Sequence, residues 1–208
     1  GGEQALQMAE QLAAAYLNRK RYDQSTSMYR HLIQAHRESA RAIDYQYEIL
    51  RNQTVRTPYH RSTIEEMVKL MKLIQMAEDG KFADVDRQNL ADLKSHTERL
   101  IRMWATRFHR EGQVTESTDI LKMAYFPYKY YSQTFPDSGT ADTMAFFRAE
   151  ILFQRRQWQN AVEAYRSADP GALDADYAQI AGFKQCAALA KSGEPSSGVR
   201  CFRKACTQ

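Results

Sequence analysis

Histidine and cysteine are the residue types in this chain that could ligate a metal ion or act as nucleophiles. The five histidines are His31, His36, His60, His96 and His109. No two of them are four residues apart, the spacing that lets two histidines bind one ion from the same helical face. The strings typical of serine hydrolases, phosphate-binding loops, dinucleotide-binding loops and zinc proteases do not occur either. We therefore expect solvent-facing histidines, no metal site and no cofactor.

The three cysteines, Cys186, Cys201 and Cys206, all lie in the last quarter of the chain. Their odd number and the lack of a CxxC pair argue against a disulfide framework and against a zinc site. Cys201 and Cys206 are five residues apart, which on a helix points them in different directions. The sequence therefore predicts cysteines that serve as small, inert packing residues, and it predicts a protein that is not an enzyme.

The composition indicates which elements carry these residues. The chain has 208 residues, of which 43% are hydrophobic and 26% charged, as in ordinary globular proteins. Val and Ile are scarce and there are only 9 Gly and 5 Pro, so strands and hairpins are disfavoured and an all-α fold is expected. The net charge of +4 is mild and acids are interspersed, which argues against nucleic acid as a partner. No apolar run reaches the roughly 20 residues of a membrane span.

Apolar residues recur at helical spacing between well-placed breakers. The sequence predicts a loop over 52–58, a capping box that starts a helix at Ser62, a break or kink at Pro127, and a turn over 135–139. The predicted helices cover about 3–18, 22–36, 38–52, 62–79, 84–111, 114–134, 140–155, 158–168 and 173–191, with a last short one from about 196.

An internal repeat is the strongest signal in the sequence. One spacing of small and large residues recurs without gaps at offsets of 92, 136 and 173. Its four copies begin at Ala13, Ala105, Ala149 and Cys186. Small residues on the two helices of each unit let the backbones approach closely, and the small position on the second helix is Ser25, Ser117, Ala161 or Gly198.

Each unit also contains a turn position between its two helices. Gly112 and Gly193 occupy it in two copies, where we expect a positive φ. Lys20 and Arg156 occupy the same position in the other two copies, which departs from the pattern.

This spacing resembles the tetratricopeptide repeat (TPR) superfamily. The resemblance implies an α-α superhelix, a solenoid of about nine to ten antiparallel helices that forms one domain over 1–208. The repeat units are about 7–36, 99–134, 142–170 and 179–208, with a degenerate pair over 37–98. The junction around 131–165 resembles the repeats of Gram-negative envelope proteins: the outer-membrane assembly lipoprotein, the Tol-Pal coordinator and gliding-motility complex components. That resemblance implies a periplasmic or outer-membrane-associated protein, with the cytoplasm as the alternative.

The family resemblance also implies a partner-binding wall on the first helix of each pair. On the matching positions, the expected partner-binding residues are Arg99, Arg102, His109, Arg110, Phe146, Glu150, Phe153, Lys184 and Lys191. Such a wall suits a protein or peptide segment with acidic and apolar side chains. The leading hypothesis is therefore a non-catalytic scaffold or adaptor in a bacterial envelope complex. The alternatives are a structural module that self-associates through its C-terminal helix and a regulatory subunit of an enzyme.

Overall fold

The computed structural model describes residues 2–193 and 195–205, and within these ranges it contains ten α-helices and no strand. The all-α prediction, with about nine to ten helices, is therefore confirmed. A 3-10 turn, Pro170–Ala172, precedes the ninth helix. The helices are α1 Gly2–Asn18, α2 Tyr22–Ala35, α3 Arg41–Arg56, α4 Arg61–Glu78, α5 Arg87–Val114, α6 Thr118–Thr134, α7 Ala141–Gln154, α8 Trp158–Arg166, α9 Ala175–Lys191 and α10 Pro195–Ala205.

The chain divides into two compact units, Gly1–Arg110 and Glu111–Gln208. In the first unit α1 packs on α2, α2 on α3 and α3 on α4. In the second unit the same order holds from α6 to α10, each helix packing on the next. Among these helices, neighbours in the sequence are therefore neighbours in space, as expected of helical repeats.

Small residues line the crossings between paired helices. Ala13 and Ser25 are fully buried in the first unit, and Ala149 and Ala161 are fully buried in the second. At Gly198 a Cβ atom would lie only 2.6 Å from the Cβ of Ala190. The prediction of close packing at Gly198 is therefore confirmed.

The turn between paired helices has the same backbone form in four places. Lys20, Arg156 and Gly193 have φ values of 58°, 57° and 96°, and each lies two residues before the next helix. The positive φ expected at Gly193 is therefore confirmed. The fourth turn residue is Glu116, with a φ of 52°, two residues before α6.

The positive φ expected at Gly112 is wrong, because Gly112 lies inside α5, which continues to Val114. The offset of the second copy is thus 96 rather than 92, and Gly112 takes the place of Tyr16. A Cβ on Gly112 would lie 2.8 Å from Cγ of Leu121, which takes the place of Ser25. In this copy the large residue, Leu121, lies on the second helix, and Gly112 on the first helix leaves space for it.

Two helix boundaries differ from the sequence prediction, one at the end of α3 and one at the start of α4. Residues 52–56, expected in a loop, belong to α3, where the buried Asn52 amide donates to Ser25 Oγ at 3.1 Å. The capping box is wrong, since Ser62 lies within α4 and the side chain of His60 accepts from the Ser62 N–H. Pro127 does not break α6, which continues through it.

The expectation of unpaired cysteines is wrong for two of the three. Cys186 on α9 and Cys201 on α10 form a disulfide, with their Cα atoms 5.3 Å apart. The antiparallel pairing of α9 and α10 brings them together across 15 residues. A disulfide that closes a loop of this length raises the free energy of unfolding by about 3 kcal/mol in the chain-entropy account. That contribution matters because α10 has 11 residues and an isolated helix of that length is marginal. Cys206 lies outside the described residues.

The turn at Arg156 provides a test of this repeated geometry. Arg156 adopts the left-handed conformation, which is strained for any residue other than glycine, and its exposed side chain offers little packing to offset that strain. We expect Arg156→Gly to raise the free energy of unfolding by about 0.5–1 kcal/mol in urea titrations. The matched control is Arg155→Gly, because Arg155 has a φ of −80°. This change should lower the free energy of unfolding by about 0.5 kcal/mol. Equal effects of the two changes would contradict the assigned turn geometry.

Candidate partner-binding site

Four of the residues predicted from the repeat come together in the second unit. Glu150 and Phe153 are three residues apart on α7, and Lys184 and Lys191 are seven apart on α9, so each pair shares a helical face. Both helices pack on α8, which brings the two faces to one place. We call these four side chains, with Trp158 of α8, the lysine–aromatic cluster.

Glu150 is the buried anchor of this cluster. Its carboxylate accepts hydrogen bonds from the Tyr165 hydroxyl of α8 and from the Lys184 ammonium group of α9. Burial, followed by the hydrogen bond to Glu150, raises the pKa of Tyr165 well above its ordinary value, so the hydroxyl stays a donor. Glu150 thereby ties together three helices and neutralises the charge of Lys184.

Lys191 is the exposed cation of the cluster. Its Nζ lies 4.7 Å from the ring centroid of Trp158 and 5.5 Å from that of Phe153. The two rings meet edge to face at 5.2 Å, and Lys184 Nζ lies 5.6 Å from the Phe153 centroid. Within the described residues, no carboxylate forms an ion pair with Lys191. The rings hold the ammonium group in place and leave its charge available to an acid from outside.

Phe146 is not part of this surface. It is 3% exposed and stacks on Tyr177, with ring centroids 5.0 Å apart. Tyr165 and Phe147 contact it from other sides. Phe146 is a core residue, and its burial removes it from the partner-binding residues.

The predicted residues of the third repeat lie on α5 and are not equivalent to one another. Arg99 and Arg110 are exposed, and Arg99 donates to Ser95 Oγ at 3.0 Å. Arg102 is half-buried and pairs with Glu98 at 2.8 Å, while His109 is buried. The burial of His109 follows from the corrected offset of 96, which gives it the place of the buried Ala13. His109 and Arg102 are therefore structural, and the exposed arginines remain as candidates.

The segment 99–110 of α5 nevertheless concentrates the charge of the chain. It contains four arginines and no acidic residue. Arg107 lies outside the positions that the repeat resemblance implied. It is exposed beside Arg110, and its guanidinium group lies 5.0 Å from the Trp104 ring centroid. Residues 1–110 hold 18 basic and 14 acidic side chains, and residues 111–208 hold 11 of each. The net charge of +4 thus belongs to the first unit, and we call Arg99, Arg107 and Arg110 the α5 arginine stripe.

The first unit also contains a buried carboxylate that the sequence pattern does not indicate. Glu66 of α4 accepts from Arg30 at 3.0 Å, from Lys69 at 3.1 Å and from the Gln46 amide at 2.6 Å. The sequence indicates this burial only through the position of Glu66, which lies between Thr63 and Leu70 on the apolar face of α4. The group is fully paired and joins α2, α3 and α4, so its role is structural.

A cleft of about 280 Å³ in the first unit is lined by the carboxylates of Asp44, Asp84 and Asp86, of which the last two have structural roles. Asp84 accepts from Ser39 Oγ and from the Ala40 N–H, and these bonds lower its pKa. Asp86 accepts from the backbone N–H groups of Gln88 and Asn89, in the first turn of α5. Burial raises the pKa of Asp44. No group of three or more His, Cys, Asp or Glu side chains that could hold a metal ion occurs among the residues with described positions.

Comparison with known proteins supplies no identity. No protein-family profile matches the chain. No curated protein matches it significantly. In the described part of the chain, no helix combines the length and apolarity needed to cross a membrane.

The Glu150–Lys184 pair can be tested by a double-mutant cycle. Glu150→Gln and Lys184→Met each leave the other partner without its opposite charge in a poorly hydrated site. We expect each change to lower the free energy of unfolding by about 2 kcal/mol, and the pair to show a coupling of about 1–2 kcal/mol. Glu163→Gln, an exposed change on the same unit, is the control and should cost under about 0.5 kcal/mol. Additive effects of the two substitutions would contradict the assigned contact.

Proposed function

We propose that this chain is a non-catalytic scaffold or adaptor that binds a protein segment carrying acidic and apolar side chains. The observation that carries the proposal is the placement of exposed cations beside aromatic rings in both units. In the second unit Lys191 lies over Trp158 and Phe153. In the first unit Arg107 lies over Trp104 within the α5 arginine stripe.

This combination is suited to peptide recognition for a physical reason. A cation held beside a ring attracts a carboxylate. In the second unit the half-buried rings of Trp158 and Phe153 also offer apolar area to the neighbouring residue of the same segment, whereas in the first unit Trp104 is buried and only positions Arg107. Arginine and aromatic residues are also the types most enriched where binding energy concentrates. Both surfaces therefore favour an acidic segment, and the surface of the second unit also favours an apolar anchor beside the acid.

We further propose that the helix pairs are TPR-like and stack as a superhelix with a concave binding wall. Four turns with one backbone form support this proposal, as does the close packing at small residues in each unit. The envelope-like junction is also consistent with it. There, the Tyr131 hydroxyl shares hydrogen bonds with Ser138 at 3.1 Å and Thr140 at 2.8 Å, which gives the spacing of that motif a structural role.

A periplasmic or outer-membrane-associated location is part of the proposal. The Cys186–Cys201 disulfide supports it, because disulfides persist in oxidising compartments such as the periplasm and are rare in the cytosol. The resemblance of the junction around 131–165 to repeats of envelope proteins agrees with this support.

The partner-binding proposal predicts the effect of charge reversal on the α5 arginine stripe. In Arg99→Glu/Arg110→Glu, two exposed side chains change sign without breaking an ion pair within the described residues. We expect loss of most partner capture in pull-downs from the native organism, with an unchanged melting temperature. Arg102 is unsuitable for this test because reversing it would place two carboxylates together at Glu98.

The matched control is Arg19→Glu/Arg37→Glu, which changes the net charge equally at exposed positions of the same unit. It should capture the partner as the wild type does. Reproducible capture by the stripe variant at wild-type level would refute this site. If the wild-type chain captures no discrete protein at all, the adaptor proposal itself fails.

The compartment proposal predicts the thiol count of the natively produced protein. Cys186 and Cys201 are paired, so the unfolded chain should take up two more maleimides after reduction than before it. Mass spectrometry of the chain, alkylated at the moment of lysis, measures this. An equal number of labels before and after reduction would place the protein in a reducing compartment.

A further inference from the structure

The exposed arginines of the first unit share one face of α5 with a methionine. Arg99, Met103, Arg107 and Arg110 follow one another at helical spacing, and at 3.6 residues per turn they fall within about 80° of the helix circumference. All four side chains are exposed, and Met103 is 39% exposed. Along the helix axis the face therefore presents a cation, a thioether and two further cations over about 16 Å.

The cations of this face are available to a ligand. Within the described residues, no arginine of the stripe forms an ion pair, and Arg99 donates to Ser95 Oγ at 3.0 Å. Arg107 rests on the Trp104 ring at 5.0 Å, and Tyr59 packs edge to face on Trp104 with the ring centroids 6.2 Å apart. Because Trp104 is buried, this stack holds the Arg107 guanidinium group in place before a partner arrives.

The spacing of the three cations does not match an extended segment. A strand advances about 3.3 Å per residue, and its successive side chains point to opposite sides. Along the axis of α5, Arg107 lies about 12 Å and Arg110 about 16 Å beyond Arg99, which correspond to about four and five residues of a strand. Acids at those two positions would point to opposite sides. An extended segment can therefore meet two of the three cations, but not all of them.

A helical segment has the same rise and period as α5, so its acids can meet all three cations. In the antiparallel direction, an acid opposite Arg110 is followed three residues later by an acid opposite Arg107. An apolar residue seven positions after the first acid then meets Met103, and an acid eleven positions after it meets Arg99. The antiparallel direction is favoured because it places two acids in the first turn of the partner helix, where the macrodipole stabilises negative charge.

We propose that the α5 arginine stripe and Met103 bind an amphipathic helix of the partner, antiparallel to α5, with acids at i, i+3 and i+11 and an apolar residue at i+7. This inference rests on the proposed function and specifies the form of the acidic segment at the first unit. Charge complementarity identifies the occupant, because the segment 99–110 contains four arginines and no acidic residue. Methionine suits the apolar position, since its flexible thioether adapts to different side chains.

Synthetic peptides of about 16 residues, rich in alanine and blocked at both ends, test the register. The matched peptide has glutamate at its third, sixth and fourteenth positions and leucine at its tenth. A scrambled peptide of the same composition has its glutamates five residues apart, which distributes them around the helix. A third peptide has proline in place of the eighth residue of the matched peptide, which interrupts the helix. In fluorescence anisotropy with the full chain, the matched peptide should bind about tenfold more tightly than either other peptide.

Charge exchange between the two helices tests the direction. Arg99→Glu should weaken binding of the matched peptide about tenfold, and lysine in place of the last glutamate of the peptide should restore it. Arg110→Glu should be rescued in the same way by lysine in place of the first glutamate. The control Arg37→Glu, at an exposed position of the same unit, should change the affinity by less than about twofold. All three variants should melt at the wild-type temperature.

The outcomes separate this inference from the proposed function. Equal affinity for the matched and scrambled peptides overturns the helical register, and equal or tighter binding of the proline peptide overturns the helix in favour of an extended segment. Both results leave an acidic partner in place. Rescue by the opposite peptide positions overturns the antiparallel direction. A chain that binds none of the peptides also overturns this inference, whereas the proposed function depends on capture of the native partner in the pull-down.

Discussion

The close approach of paired helices is the constraint on which the rest of the structure depends. A helix pair can bury its large side chains against neighbouring pairs only when small residues let the two backbones come together. Ala13 with Ser25, and Ala149 with Ala161, meet this need in two pairs, and Ala190 with Gly198 meets it in the last. Because one helix of each pair then contacts the next pair, the positions of Glu150, Lys184 and Lys191 follow from this packing.

The turn between paired helices is preserved in shape more strictly than in sequence. Lys20, Glu116, Arg156 and Gly193 all adopt positive φ, although three of them pay a conformational cost that glycine avoids. A turn of this form sets where the second helix begins, two residues later in each case. The backbone geometry is therefore what the repeat maintains, and side-chain identity at the turn is free to vary.

Local signals were sufficient to predict the helices, but not the exact register of the repeat. At Gly112 and Leu121 a small and a large residue have exchanged helices, and a pattern search based on size alone shifts by one helical turn to accommodate this. The shift explains why His109 was expected on the surface. It also explains the expectation of a turn at Gly112, four residues before the true turn at Glu116.

Long-range contacts account for the remaining differences. α7 is apolar on most of its surface, so periodicity could not distinguish the buried Phe146 from the half-exposed Phe153. With three cysteines, sequence spacing could not show that Cys186 and Cys201 face each other across α9 and α10. Glu150 and Lys184 are 34 residues apart in the sequence. Their placement on one surface was predictable, because repeat geometry relates α7 to α9.

The exposed cations of both units act on a partner through the same physical force. The α5 arginine stripe and Lys191 attract an acidic segment at a distance, and salt screens this attraction. The half-buried rings of Trp158 and Phe153 add apolar contact area, whose contribution changes little with ionic strength. Raising the salt concentration should therefore weaken binding through the α5 arginine stripe more than binding through the lysine–aromatic cluster.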